Sequence, residues 1–99
     1  MAFKIVITKR FRNKVASVGK YLEKEWSSKV AKEFFNDLER RINNLEKLPT
    51  SGSITAKDKN VRRFSFSKHN RIYYRIRDKK VRLLDLIDTR KDPQKNKYE

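Results

Sequence analysis

Residues 61–90 read VRRFSFSKHNRIYYRIRDKKVRLLDLIDTR, and this stretch predicts three consecutive β-strands. In residues 61–67 and 70–77 apolar and polar side chains alternate, which is the period of a strand with one buried face. Residues 81–88 carry apolar side chains on both faces, as a more central strand does. The connections between these strands are short enough for β-hairpins. The stretch therefore predicts an antiparallel sheet, which the rest of the chain has to cover.

The strand at 70–77 is predicted to have two chemically different faces. Ile72, Tyr74 and Ile76 point to one side, which is suited to burial. The opposite side is expected to carry four residues into solvent: Arg71, Tyr73, Arg75 and Arg77. Between residues 62 and 97 there are 13 basic and 4 acidic residues, which supply +9 of the formal net charge of +15. The excess positive charge is thus concentrated in about a third of the sequence.

The first half of the chain predicts one strand and two helices. Residues 3–7 are a short run rich in β-branched side chains, which is typical of a strand. Apolar residues then recur at spacings of three and four over residues 8–25 and again over residues 28–48. These two segments are predicted to be amphipathic helices. Because the link between them is so short, they are expected to form an antiparallel hairpin.

Several single residues support these helix boundaries. Thr8 is the predicted N-cap of the first helix, and Ser27 and Ser28 are predicted to supply the cap of the second, because their hydroxyls can accept a hydrogen bond from the first turn of a helix. Pro49 cannot continue the second helix. Trp26, at the bend, is interpreted as a packing residue. Residues 50–60 are polar and show no periodicity, so we expect a loop there.

The element order is βααβββ over a single domain, residues 1–99. The predicted fold class is α+β: an antiparallel α-helical hairpin packed on one face of a small, mainly antiparallel sheet. Residues 89–99 form a polar tail. Since the hairpin can bury only one face of the sheet, the basic face is left open to a partner. The alternative is a sheet face that is kept soluble by its charge, with cross-strand pairs to Asp85 or Asp88.

The composition restricts the kinds of function. The chain has 27 basic and 12 acidic residues, and so large an excess favours a polyanionic partner such as nucleic acid or a strongly acidic protein. The absence of cysteine and the single histidine exclude disulfides, thiolate chemistry and metal sites built on several histidines. No cofactor and no metal are expected. The sequence has no apolar run of membrane-spanning length, so we expect a cytoplasmic protein with no membrane partner.

Three segments together resemble the RelE/ParE superfamily of toxins from type II toxin–antitoxin modules, which are also known for plasmid stabilisation. The first, EKEWSSKVAKEFFNDLERRINNLEKLPTSG, is similar to the long helical hairpin of that family and its closing leucine-x-proline and glycine. The second is RRFSFSKHNRIYYRI, similar to a basic strand, a turn and a tyrosine-rich strand. The third, VRLLDLIDTRKDP, is similar to the final strand and its basic exit.

The resemblance implies one of two mechanisms. RelE-type members are metal-independent endoribonucleases that cleave mRNA on the ribosome, so in that case the protein is an enzyme. The residues matching their catalytic pattern are Arg62, Arg71, Arg90 and Tyr98, with Lys91 as the alternative to Arg90 after the last strand. The match is partial, because Phe64 stands where the family has a second lysine. ParE-type members are described as inhibitors of DNA gyrase and are not enzymes.

The resemblance favours the ParE branch, because of the long hairpin and the absence of a C-terminal helix. It implies neutralisation by a cognate antitoxin, and a gyrase–DNA complex or a ribosome–mRNA complex as target. The residues expected to bind target or antitoxin are Arg63, Arg71, Tyr73, Arg75, Arg77, Arg90 and Lys91. A nucleic-acid-binding module without toxicity is the further alternative, and the sequence leaves open whether the chain forms a homodimer.

Overall fold

Five strands and two long helices follow one another along the chain. A computed structural model describes residues 3–67, 69–90 and 97–98. The elements are β1 (Lys4–Ile7), α1 (Lys9–Glu25), α2 (Ser28–Lys47), a 3₁₀ turn (Pro49–Ser51), β2 (Ser53–Ile54), β3 (Val61–Ser65), β4 (Asn70–Arg77) and β5 (Lys80–Asp88).

The strands form one mixed sheet in the order β1-β5-β4-β3-β2. β1 runs parallel to β5, and the other three pairings are antiparallel. The predicted α+β fold is confirmed, with two helices packed on the sheet. β5 is an interior strand, between β1 and β4, as its apolar residues on both faces predicted. Nearly all strand boundaries lie within a residue of the prediction. The exception is β3, which ends at Ser65 rather than at residue 67 because the chain turns there, with the Phe66 amide donating to the Asn70 carbonyl at 2.9 Å.

The short edge strand β2 was not predicted from the sequence. Ser53 and Ile54 pair with Arg63 and Arg62 in a region that was predicted to be a loop. Two residues are too few to show a hydrophobic period, and both are exposed. The pairing is therefore set by β3 and by the turn before β2, not by a pattern in the segment itself.

Both helices begin at the predicted caps. The Thr8 hydroxyl accepts a hydrogen bond from the Phe11 amide at 3.2 Å and donates to the Leu83 carbonyl at 2.6 Å, so it also ties the start of α1 to β5. Ser27 caps α2 by accepting from the Val30 amide at 3.1 Å. Because Thr8 is the cap, the first helical residue is Lys9, one later than predicted.

The helical hairpin and one face of the sheet enclose the main core. Its buried residues are Phe11, Leu38, Leu45, Ile72, Tyr74, Val81, Leu83 and Leu86. On β4 the residues that enter this core, Ile72 and Tyr74, alternate as predicted, although Tyr73 between them is buried on the opposite face. On β5 the alternation is interrupted, because Tyr74 lies opposite Leu83 and Tyr73 lies opposite Asp85, which leaves Leu84 as a β-bulge. The bulge puts Leu86 into the core and turns Asp85 to the other face.

Trp26 does not have the predicted packing role. It is 71% exposed at the turn between α1 and α2. The packing at this hairpin is made instead by Gly19, whose missing side chain leaves room for the ring of Phe35. None of the helices in the described ranges is long and apolar enough to cross a membrane.

Candidate functional site

The face of the sheet turned away from the helices carries the predicted basic residues. The register places Arg63 opposite Tyr73, Ser65 opposite Arg71, and Val61 opposite Arg75. Side chains directly opposite each other share a face. We call this surface, formed by Arg63, Arg71, Tyr73 and Arg75 with their neighbours, the open face.

Tyr73 departs from the expectation of exposure. It is completely buried although it lies on the open face. Its cover is Tyr98, whose ring stacks on it with centroids 4.6 Å apart and planes 19° from parallel. The two tyrosines form a small second core with Val61, against which Leu84 and Ile87 pack. The aromatic side chain that was expected to contact a partner is therefore covered by the chain's own C-terminal region.

Tyr98 is held by polar contacts as well as by stacking. Its carbonyl accepts a hydrogen bond from the Lys57 amide at 3.3 Å. Burial raises the pKa of its hydroxyl above the ordinary value, and the nearby Asp85 carboxylate raises it further. Arg10, which hydrogen-bonds the hydroxyl, and Arg75 lower the pKa but do not outweigh these effects. Tyr98 is accordingly neutral at physiological pH.

Asp85 links the open face to α1. The carboxylate is buried, accepts from the Leu86 amide at 2.9 Å, and lies 3.3 Å from Lys14 Nζ and 3.7 Å from Arg10 Nη1. Arg10 and Lys14 are four residues apart, so they extend from one side of the helix. Sequence reasoning missed this cluster, because Asp85 was considered only as a cross-strand partner. The signal available was a single carboxylate within the apolar run LLDLI.

The arginines of β4 differ in their surroundings. Arg75 donates to the Asp58 carboxylate at 3.0 Å through Nη2, while its Nε is buried without a hydrogen-bond partner among the described residues. Arg71 is half-buried and Arg77 is exposed at the end of the strand. The open face thus brings together Arg63, Arg71, Arg75 and Tyr98.

The residues that match the RelE catalytic pattern do not all lie on this face. Arg62 lies on the same side of β3 as Phe64, which packs against the main core, and donates to the Thr50 and Gly52 carbonyls at 3.2 and 2.8 Å. Arg90 lies beyond β5, where it forms a two-pronged pair with Asp88 at 3.1 and 2.8 Å. Lys91 is outside the described residues.

A groove between α1 and the end of β5 has a different character from the open face. It encloses about 520 Å³. Its apolar lining includes Val18, Leu22, Leu86 and Ile87. Its charged lining is Lys14 together with Arg90 and Asp88, which pair with each other. We call this the α1–β5 groove. Across the described ranges, no three His, Asp or Glu side chains are grouped so as to hold a metal ion.

Comparison with known proteins gives one family match. The model of the family described as ParE toxin of type II toxin-antitoxin system, parDE, matches residues 5–93. No curated protein has significant sequence similarity to the chain.

Solved structures show the same fold at low identity. The chromosomal ParDE TA system from P. aeruginosa has a TM-score of 0.75 and 11% identity, covering 88% of this chain and 96% of that one. The YoeB/ParE toxin from Agrobacterium tumefaciens has a TM-score of 0.60 and 12% identity, covering 86% and 96%. The YoeB dimer from Staphylococcus aureus has a TM-score of 0.59 and 9% identity, covering 88% and 97%.

The fold and the family match define the protein as a toxin of a type II toxin–antitoxin system. Within that class, the chain belongs to the ParE toxin family, since the match extends over residues 5–93. The resemblance to the RelE/ParE superfamily is confirmed. Membership of this family implies a cognate antitoxin partner.

Proposed function

We propose that the protein inhibits growth by acting on DNA gyrase in the cytoplasm, and that a cognate antitoxin neutralises it. The observation that carries the choice of gyrase over mRNA cleavage is the separation of Arg62 from Arg71 on opposite faces of the sheet. Metal-independent cleavage of RNA needs an acid, a base and charge-stabilising groups around one phosphate. Side chains on opposite faces of a strand point away from each other, so we do not expect one phosphodiester to contact both arginines.

The surroundings of the other two candidate catalytic residues also support a binding inhibitor. Tyr98 is neutral and stacked, and its raised pKa disfavours the deprotonated form that a general base requires. Arg90 is engaged by both oxygens of Asp88. Arginine itself is a poor proton donor or acceptor, because its pKa lies above about 12.

We assign antitoxin binding to the α1–β5 groove. An antitoxin segment that orders on binding has to offset the loss of chain entropy, and apolar anchors do so better than charge alone. The groove supplies such anchors in Leu22, Leu86 and Ile87. Lys14, whose side chain is half-exposed at the same groove, suits a carboxylate of an acidic segment.

Induction of the protein in a bacterial cell tests the proposed target. Filamentation with double-strand DNA breaks is expected if gyrase is inhibited. The double variant Arg63→Ala/Arg71→Ala, which removes two cations from the open face, should reduce toxicity, whereas Arg40→Ala, on the exposed surface of α2, should not. Cleavage of mRNA at the ribosomal A site without DNA breaks would contradict the proposal, and so would normal growth.

A ribosome-dependent endonuclease is the second candidate. One observation favours it: Tyr98, Arg10 and Arg75 are close enough for both arginines to affect the pKa of the tyrosine. Two guanidinium groups beside a neutral phenol are a plausible set for stabilising a phosphorane and protonating a leaving oxygen. In this case Arg10→Ala should abolish mRNA cleavage in a ribosome assay.

A further inference from the structure

A second groove lies at the hairpin that joins β4 to β5. It encloses about 310 Å³ and is lined only by charged residues: Arg75, Arg77, Asp78, Lys80 and Arg82. We call it the hairpin groove. Four of its five lining side chains are basic, so its formal charge is +3.

The strand register places like charges directly opposite each other in this groove. Arg75 is paired with Arg82, and Arg77 with Lys80. Like charges in directly opposite positions destabilise a sheet. The turn between the two strands fixes this register, because Asp78 and Lys79 both have positive φ, 53° and 60°, as in a tight two-residue hairpin. The rigid hairpin thus holds four cations together.

The described part of the chain does little to compensate these charges. The Asp78 carboxylate is 85% exposed and lies 3.9 Å from Arg77 Nε. Arg75 has its pair with Asp58, but its Nε is buried without a hydrogen-bond partner. Neither Lys80 nor Arg82 has an ion-pair partner among the described residues. An arrangement that costs stability and is only partly compensated points to a ligand that supplies negative charge.

We propose that the hairpin groove binds phosphates of a nucleic-acid backbone. Successive pairs along the hairpin are about 7 Å apart, because residues i and i+2 of a strand are separated by two steps of about 3.4 Å. The pairs Arg75–Arg82 and Arg77–Lys80 therefore present two cationic positions in line, one for each of two phosphate groups. Guanidinium groups bind phosphate oxygens in a two-pronged geometry.

The composition of the groove favours phosphate over an acidic protein segment. A peptide has to be ordered on binding and gains most from apolar anchors, which the hairpin groove does not have. A nucleic-acid backbone is bound mainly through charge and counterion release, and the four basic residues suffice for that. The inference goes beyond the proposed function, because it requires no gyrase and applies to free duplex DNA.

The test measures binding of the full chain to a fluorescein-labelled duplex of mixed sequence by anisotropy, over a range of about 50 to 200 mM salt. The double variant Arg77→Gln/Arg82→Gln removes one cation from each pair. We expect it to bind about 10- to 100-fold more weakly, with a salt slope lower by about 2. Since it relieves two like-charge pairs, its thermal unfolding midpoint should equal or exceed that of the wild type, which excludes unfolding as the cause.

The matched control is Lys29→Gln/Lys32→Gln, which removes the same net charge from exposed positions on α2. Its affinity should stay within about threefold of the wild type and its salt slope should be unchanged, because distant surface charges are screened. Equal losses in both double variants would overturn the site, because net charge alone would then explain binding. A poly-glutamate peptide that bound the wild type more tightly than DNA, with the same dependence on Arg77 and Arg82, would overturn the choice of nucleic acid. Inhibition of gyrase is measured separately, so either idea can fail without the other.

Discussion

The Tyr74 hydroxyl fixes the segment that leads into β2. It donates to the Pro49 carbonyl at 2.6 Å and accepts from the Gly52 amide at 3.0 Å, and all three residues are buried. A Cβ at position 52 would lie 2.5 Å from this hydroxyl oxygen and 2.8 Å from the Arg63 carbonyl oxygen. Gly52 has φ of −78°, so it is required for space and not for backbone conformation.

Gly52→Ala should therefore destabilise the protein. We expect a loss of about 1 to 3 kcal/mol in the free energy of unfolding, as for overpacking of a core, because the Arg63 carbonyl belongs to the sheet and does not move freely. Urea denaturation measures the effect. Gly19→Ala is the control, since the ring it meets, Phe35, is 42% exposed and moves aside, while alanine adds up to about 1 kcal/mol of helix propensity. Equal destabilisation in both variants would contradict this account of Gly52.

The buried hydroxyl of Tyr98 predicts a loss of stability at high pH. Its pKa is raised above 10.0 mainly by burial and secondly by Asp85. The folded state therefore binds the proton more tightly than the unfolded state does. The resulting stability is present below about pH 10 and is lost as the pH rises through the folded pKa.

Tyr98→Phe removes this ionisation, so the free energy of unfolding should fall less steeply above pH 10 than in the wild type. Tyr21→Phe, at a position that is 59% exposed, serves as the control and should follow the wild type. Chemical denaturation at a series of pH values gives the slopes. Parallel curves for Tyr98→Phe and the wild type would show that Tyr98 is not buried in solution.

At the scale of the elements, the β-bulge at Leu84 determines the site. Without it, Asp85 would continue the alternation of Val81 and Leu83 and point into the helical core. With it, the carboxylate lies on the side of Tyr73 and is reached by Arg10 and Lys14 of α1. The bulge therefore connects the first helix to the open face.

Asp85→Asn should destabilise the protein by about 1 to 3 kcal/mol, because a buried carboxylate loses its charge while two cations remain beside it. The loss of stability is limited because the side chains of Arg10 and Lys14 are about half exposed, so water screens their charges. Asp37→Asn, which breaks an exposed pair with Arg40, should change stability by no more than about 0.5 kcal/mol. Thermal or urea unfolding of the two variants compares them directly, and equal stability would be inconsistent with a buried Asp85 cluster.

The elements also show how far the sequence predicts this molecule. The alternation in β4 and the apolar stripes of α1 and α2 indicate which side of each element faces the core. These elements and the caps at their ends were therefore predictable. The bulge and the strand β2 were not, because each depends on register with a neighbouring strand and leaves no period of its own. Alternation within each strand is also enough to assign Arg63, Arg71 and Arg75 to one face from the sequence. The cover over Tyr73 by Tyr98 could not, since it joins residues 25 positions apart through tertiary contacts alone.

At the scale of the whole molecule, the helices and the sheet form two surfaces of different chemical character. The hairpin of α1 and α2 buries one sheet face and, with β5, forms the apolar α1–β5 groove. The open face and the hairpin groove collect positive charge from β3, β4 and β5. We propose that the first surface meets the antitoxin and that the second meets the gyrase–DNA complex.

The most direct test of this account is a supercoiling assay with purified DNA gyrase, relaxed plasmid and the purified protein. Supercoiling should fall as the protein is added, and the loss should be weaker with Arg63→Ala/Arg71→Ala, which removes two cations from the open face. Unchanged supercoiling at a molar excess of folded protein, together with cleavage of ribosome-bound mRNA by the same sample, would contradict it.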